Sequence, residues 1–140
     1  MATLERAIAL AAEYHAGQTD KGGQPYILHP LRVMAAVSGI EHKMAAVLHD
    51  IVEDTPVTFE MLRQEGFSEA VVEALRALTK RKGETRIQAA HRAAANPIAK
   101  TVKLADLADN MDLSRLNAPT ARDMRRMAEY GQVKAFLEQA

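Results

Sequence analysis

The stretch Met44-Ala45-Ala46-Val47-Leu48-His49-Asp50-Ile51-Val52-Glu53-Asp54-Thr55 begins as an apolar helix and ends carrying one imidazole and three carboxylates. At about 3.6 residues per turn, Asp50, Glu53 and Asp54 stand at i, i+3 and i+4 on one face, and His49 lies one turn above Glu53. Like charges so placed weaken a helix and oppose the dipole at its C-terminus, and burying any of them unpaired is costly. A bound cation would resolve the conflict. A solvated acidic helix end is the plain alternative when the stretch is read by itself.

The surrounding composition narrows what that cation is. The 140 residues predict one domain over 1–140 with a core of its own. The chain has no cysteine, so disulfides, thiolate zinc sites and cysteine nucleophiles are excluded and any metal must be held by His, Asp, Glu or carbonyl oxygen. Eighteen basic and eighteen acidic residues give a net charge of +0, which argues against a nucleic-acid binder or a polybasic membrane anchor. Glu5 and Arg6 interrupt the apolar N-terminus where a signal peptide would run, and no stretch approaches the ~20 apolar residues of a membrane span, so the expected location is the cytoplasm.

On either side the periodicity is helical, with no convincing period-two alternation, and predicts an all-α bundle of seven or eight helices. Thr3 caps a first helix that stops near His15, and Gln18 to Pro25 form a polar loop that brings Lys21 to the surface. Pro30 starts a second helix, Leu31 to Ser38, with His29 at its head and pointing out of the bundle. The third runs unbroken from Glu41 to Asp54 and ends at Thr55-Pro56. Thr58 caps a fourth to Gln64 or Glu65, closed by Gly66, and Ser68 opens a fifth with Val71, Val72, Leu75 and Leu78 as its apolar stripe. Thr79-Lys80-Arg81-Lys82-Gly83 reads as a solvated basic turn. An alanine-rich helix over 85–95 follows, and then Asn96-Pro97 launches a helix from Ile98 to about Leu113, on which Lys103, Asp106, Asp109 and Asn110 form a polar stripe. After Asn117-Ala118-Pro119, a capping box of Thr120 and Asp123 starts a last helix with Met124, Met127, Val133, Phe136 and Leu137 inward.

Three segments far apart in the chain thus offer His29, the His49-Asp50 pair and Asp106, each at a helix end or on a face able to converge. Two imidazoles and two carboxylates, with water completing the shell, suit Mn(II), Fe(II) or a related divalent ion better than a closed structural zinc.

Gly23-Gln24-Pro25-Tyr26-Ile27-Leu28-His29-Pro30, Leu48-His49-Asp50-Ile51-Val52-Glu53-Asp54-Thr55 and Val102-Lys103-Leu104-Ala105-Asp106 with Asn110, in that order, resemble the HD-domain phosphohydrolases. The likeness is to their small alarmone hydrolase branch, related to the hydrolase domain of the Rel/Spo enzymes and to the metazoan small alarmone hydrolase. The resemblance implies that His29, His49, Asp50 and Asp106 hold Mn(II), that Glu53 and Asp54 orient and activate water, and that Asn110 and Lys21 contact a small nucleotide. It also implies the reaction, removal of the 3′-pyrophosphate of (p)ppGpp to leave GDP or GTP. The chain departs from the larger bifunctional enzymes at Asp20, Leu107 and Asp109. The departures bear on which nucleotide is the substrate, and two rival readings stand beside this one: a phosphatase of another nucleotide, such as the 2′-phosphate of NADPH, and a nucleotide sensor without chemistry.

Overall fold

Ala45, Ala46, Val47, Leu48 and Ile51 are shut off from solvent at the centre of the computed structural model, and the other helices are laid around them. The structure describes residues 1–116 and 118–140, and among these it is all helical, with no strand. In chain order the elements are α1 (Leu4–Tyr14), α2 (Leu28–Ala35), α3 (Ile40–Leu48), α4 (Ile51–Asp54), α5 (Phe59–Gln64), α6 (Glu69–Leu78), α7 (Arg86–Ala94), α8 (Pro97–Asn110), a 3-10 turn (Leu113–Arg115) and α9 (Ala121–Gln139). No helix among the described residues is long and apolar enough to cross a membrane.

The starts of these helices follow local chemistry. Thr3, Thr58, Ser68, Asn96 and Thr120 each accept a hydrogen bond from a backbone N–H of the first turn, satisfying donors that a helix leaves unpaired. Thr85 and Gln88 add a capping box for α7 that the sequence reading did not single out.

The central helix α3 packs against α1, α2, α6 and α8. Around it Leu10, Val33, Leu62, Val71, Val72, Leu75 and Val102 form one core, each burial worth about 1.5–3 kcal/mol. Ala90, Leu107, Val133 and Leu137 form a second, smaller cluster where α7 and α9 lie against α8.

Four sequence expectations are corrected. The helix expected from Glu41 to Asp54 is broken at His49-Asp50, where the His49 N–H bonds Ala46 and Asp50 takes φ −104, ψ 0 between α3 and α4. Neither glycine nor proline marks the break. The second helix begins at Leu28 rather than Leu31, which places His29 one turn before the buried Val33 on the inner face, so that it is 5% exposed instead of pointing outward. The helix expected to reach Leu113 ends at Asn110 and gives way to the 3-10 turn. Met124 is 52% exposed, because α9 is buried only in its second half, at Val133 and Leu137. In the turn expected at Asn117-Ala118-Pro119, Asn117 lies outside the described residues.

The loop between α1 and α2 is held by Asp20, whose Oδ1 accepts from the N–H groups of Gly22 and Gln24, both at 2.9 Å. Gly23 closes the loop at φ +82. Lys21 stands exposed at its tip.

Candidate metal centre

The early start of α2, the break between α3 and α4, and the inner face of α8 point four side chains at one place. One ligand atom from each of His29, His49 and Asp50 lies within 4.8 Å of the others. Asp106 Oδ1 joins them, 3.0 Å from His29 Nε2 and 3.2 Å from His49 Nε2, and Asp50 Oδ2 is 3.0 Å from His49 Nε2. Edges near 3 Å are what ligand atoms make at right angles around an ion with bonds of about 2.0–2.2 Å.

Each of these groups is held from behind. The His49 Nδ1–H donates to the Ala46 carbonyl at 2.6 Å, leaving Nε2 buried with no hydrogen-bond partner. The His29 Nδ1–H donates to Asp109 at 2.6 Å. The Tyr26 hydroxyl donates to Asp50. Asp106 accepts from Lys103 Nζ and from Asn110 Nδ2, each at 3.0 Å.

An orphaned, buried imidazole nitrogen facing two carboxylates is a poor arrangement for a protein alone and a good one for a divalent cation. The residues present therefore fit a metal ion. Without one, the side chains compensate each other. Burial works against the His49 cation, yet the charges of Asp50 and Asp106 outweigh it and hold its pKa well above the ordinary value. Burial likewise opposes ionisation of Asp106, and the Lys103 ammonium with the two imidazoles overcomes it, keeping that carboxyl well below its usual range.

Glu53 lines a cavity of about 280 Å³ that opens onto the cluster and is also lined by Lys80, Arg86, Lys103 and Asn110. Partial loss of water, then the charges of Asp50 and Asp54, push the Glu53 pKa up. Asp54 is raised by partial loss of water and by Asp50, but it does not line that cavity. A second hollow meets the first at Tyr26, His29, Asn110 and Tyr130, and there Lys21 is found, away from the cluster itself.

The structure thus brings together the four residues proposed as ligands, sets Glu53 and Asn110 beside them, and leaves Asp54 and Lys21 farther out. The sequence reading gives no role to Tyr26 or Arg32 and places Asp109 on the polar stripe without a partner, while Lys80 is exposed, as expected of the basic turn, and also lines the cavity. Tyr26 lay inside a quoted motif. The pairing of Asp109 with His29, 80 residues away, leaves no local mark in either segment.

The arrangement is a helical bundle with a mixed imidazole and carboxylate centre at the meeting of three helices. The family model described as an HD domain matches residues 7–129; the chain belongs to the HD-domain family, whose members bind divalent metals at such centres. It is 36% identical over 143 residues to the guanosine-3′,5′-bis(diphosphate) 3′-pyrophosphohydrolase MESH1 of Danio rerio, covering 92% of this chain and 78% of that one. It is 41% identical over 81 residues to the guanosine-3′,5′-bis(diphosphate) 3′-pyrophosphohydrolase of Aquifex aeolicus, of whose length it spans 12%. A solved structure described as a metazoan ortholog of SpoT that hydrolyzes ppGpp superposes with a TM-score of 0.78 at 26% identity, covering 98% of this chain and 85% of the other.

Proposed function

We propose that this chain removes the 3′-pyrophosphate of guanosine tetra- or pentaphosphate with a divalent ion, Mn(II), held by His29, His49, Asp50 and Asp106. The observation that carries this reading is the extent of the likeness to the Danio rerio hydrolase, which reaches most of both chains and takes in all three segments that build the centre. The mixed nitrogen and oxygen donor set supports Mn(II) over ions that prefer thiolates.

The ion supplies Lewis acidity, which makes water more acidic near neutrality and polarises a phosphoryl oxygen. The chain does the rest. Glu53, its pKa raised, takes the proton of the attacking water, and Asp54 is the outer member of the pair that orients it. Water adds to phosphorus, the bond from phosphorus to the ribose 3′ oxygen breaks, and that oxygen takes up a proton, giving GDP or GTP and pyrophosphate. Lys80, Arg86 and Lys103 line the cavity and are the cations assigned to the negative charge of the phosphates. Asn110 and Lys21 are assigned to substrate, Lys21 from the mouth of the neighbouring hollow.

The test is incubation of purified protein with ppGpp and Mn(II), with EDTA-treated protein and NADPH as parallel arms. Equimolar GDP and pyrophosphate, abolished by EDTA, are expected. Orthophosphate from NADPH with ppGpp intact would transfer the chemistry to another nucleotide. Stabilisation by ppGpp without product under any divalent metal would make the domain a sensor.

A further inference from the structure

We infer that Asp109, clamped by Arg32, is the positioning residue for His29, fixing the tautomer and ring angle that present Nε2 to the metal. The inference rests on the reading of this centre as a metal site. Both carboxylate oxygens of Asp109 are engaged: Arg32 Nε donates to Oδ1 at 2.7 Å, Arg32 Nη2 donates to Oδ2 at 3.1 Å, and the His29 Nδ1–H donates to Oδ2 at 2.6 Å. With its side chain 12% exposed and a two-pronged guanidinium grip, the carboxylate has little freedom to turn. The ring it holds is itself buried.

A neutral imidazole carries one N–H and one lone pair, so a strong acceptor at Nδ1 places the lone pair on Nε2, the atom that faces Asp106 and His49. The two imidazoles are not equivalent in this respect. His49 is oriented by a neutral carbonyl and His29 by a charged carboxylate. A carboxylate behind the ring makes His29 the more electron-rich donor and tightens the site beyond what orientation alone gives. The helix supplies the geometry, since Asp109 sits three residues after Asp106 on α8 and both side chains reach the same ring from two sides.

The experiment compares wild type, Asp109→Asn and Asp109→Ala for Mn(II) affinity by calorimetry, and for ring N–H signals by ¹⁵N-detected NMR of the Zn(II)-loaded protein. Both variants are expected to bind Mn(II) about 10–100-fold more weakly, Asp109→Ala the weaker. The wild type is expected to show protected Nδ1–H signals for His29 and His49. Asp109→Ala should lose the first and keep the second, and the near-isosteric Asp109→Asn, whose amide oxygen still accepts, should keep both. Wild-type Mn(II) affinity in folded Asp109→Ala, or a His29 Nδ1–H signal surviving in it, overturns the inference. A lowered melting temperature with unchanged affinity would do the same, by making Asp109 a scaffold residue. Failure of the wild type to bind Mn(II) or Zn(II) at all would instead overturn the metal-site reading and take this inference with it.

Discussion

Glu53 is exposed to solvent but stands beside two other carboxylates. Its pKa is raised first by partial loss of water and then by Asp50 and Asp54. A carboxyl whose folded pKa lies above its unfolded one binds protons more readily when folded, so stability falls as pH rises from the unfolded pKa through the folded one. Glu53→Gln is therefore expected to melt higher than wild type at pH 7 in the metal-free protein, with the gain vanishing near pH 4 and below. The same variant should keep its metal and lose about 10²–10⁴-fold in turnover, whereas His49→Ala and Asp50→Ala should lose metal and activity together. Metal analysis beside melting curves and rates decides between these roles, and loss of metal in Glu53→Gln would make Glu53 a ligand. The contrast also marks what a sequence can show of a site. His29, His49, Asp50 and Asp106 are legible because each is an unusual residue in its own short segment. Tyr26 and Asp109 are ordinary residues locally, and only the fold makes them partners of Asp50 and His29.

Among the elements, the least legible feature is the break between α3 and α4. His49 and Asp50 are weak helix formers, but neither stops a helix as glycine or proline would, and the pattern of apolar residues runs on through them. What breaks it is tertiary: Ile51 stays in the core while Asp50 is drawn to Tyr26 and His49. Helix starts were read well, since capping is local, and α2 was misplaced because Pro30 fits the first turn of either register. A tie of the same hidden kind fixes α7. Arg92 donates from Nε and Nη2 to both carboxylate oxygens of Glu84, each at 2.7 Å, and to the carbonyls of Arg76 and Thr79 at 3.0 and 2.8 Å. It thereby joins α7 to the end of α6. The Arg92 guanidinium and the Arg81 N–H hold the Glu84 carboxyl at about 2, against its usual 4.5. A depressed folded pKa gives stability that is whole above about pH 4.5 and is lost as pH falls through about 2. Arg92→Ala is expected to cost about 2 kcal/mol at neutral pH, and to lose part of the acid dependence between those limits, as urea titrations at several pH values would measure. A cost under about 0.5 kcal/mol would reduce the tie to a surface ion pair.

At the scale of the whole molecule the centre is a place where three distant parts of the chain meet through buried polar groups instead of apolar packing. His29 comes from α2, His49 and Asp50 from the α3–α4 junction, and Asp106 from α8, each otherwise fixed by the main core around Val33, Leu48 and Val102. In the metal-free protein the two carboxylates raise the His49 pKa, and the Lys103 ammonium and the imidazoles lower that of Asp106. An ion that replaces the His49 proton binds the folded chain and finds no matching cluster in the unfolded one, where the four residues are spread over 78 positions of sequence. Binding is then stabilisation, by about 2.7 kcal/mol at a free metal concentration one hundred times Kd. For a chain of this length that corresponds to a rise in Tm of roughly 9 °C. Because the proton must leave His49, the rise should grow as pH increases through the range in which His49 titrates. Melting curves with EDTA and with Mn(II) at several pH values test both parts, with His49→Ala as the control that should show no rise. An equal rise in wild type and His49→Ala would place the stabilising ion elsewhere on the molecule and detach the centre from the fold's stability.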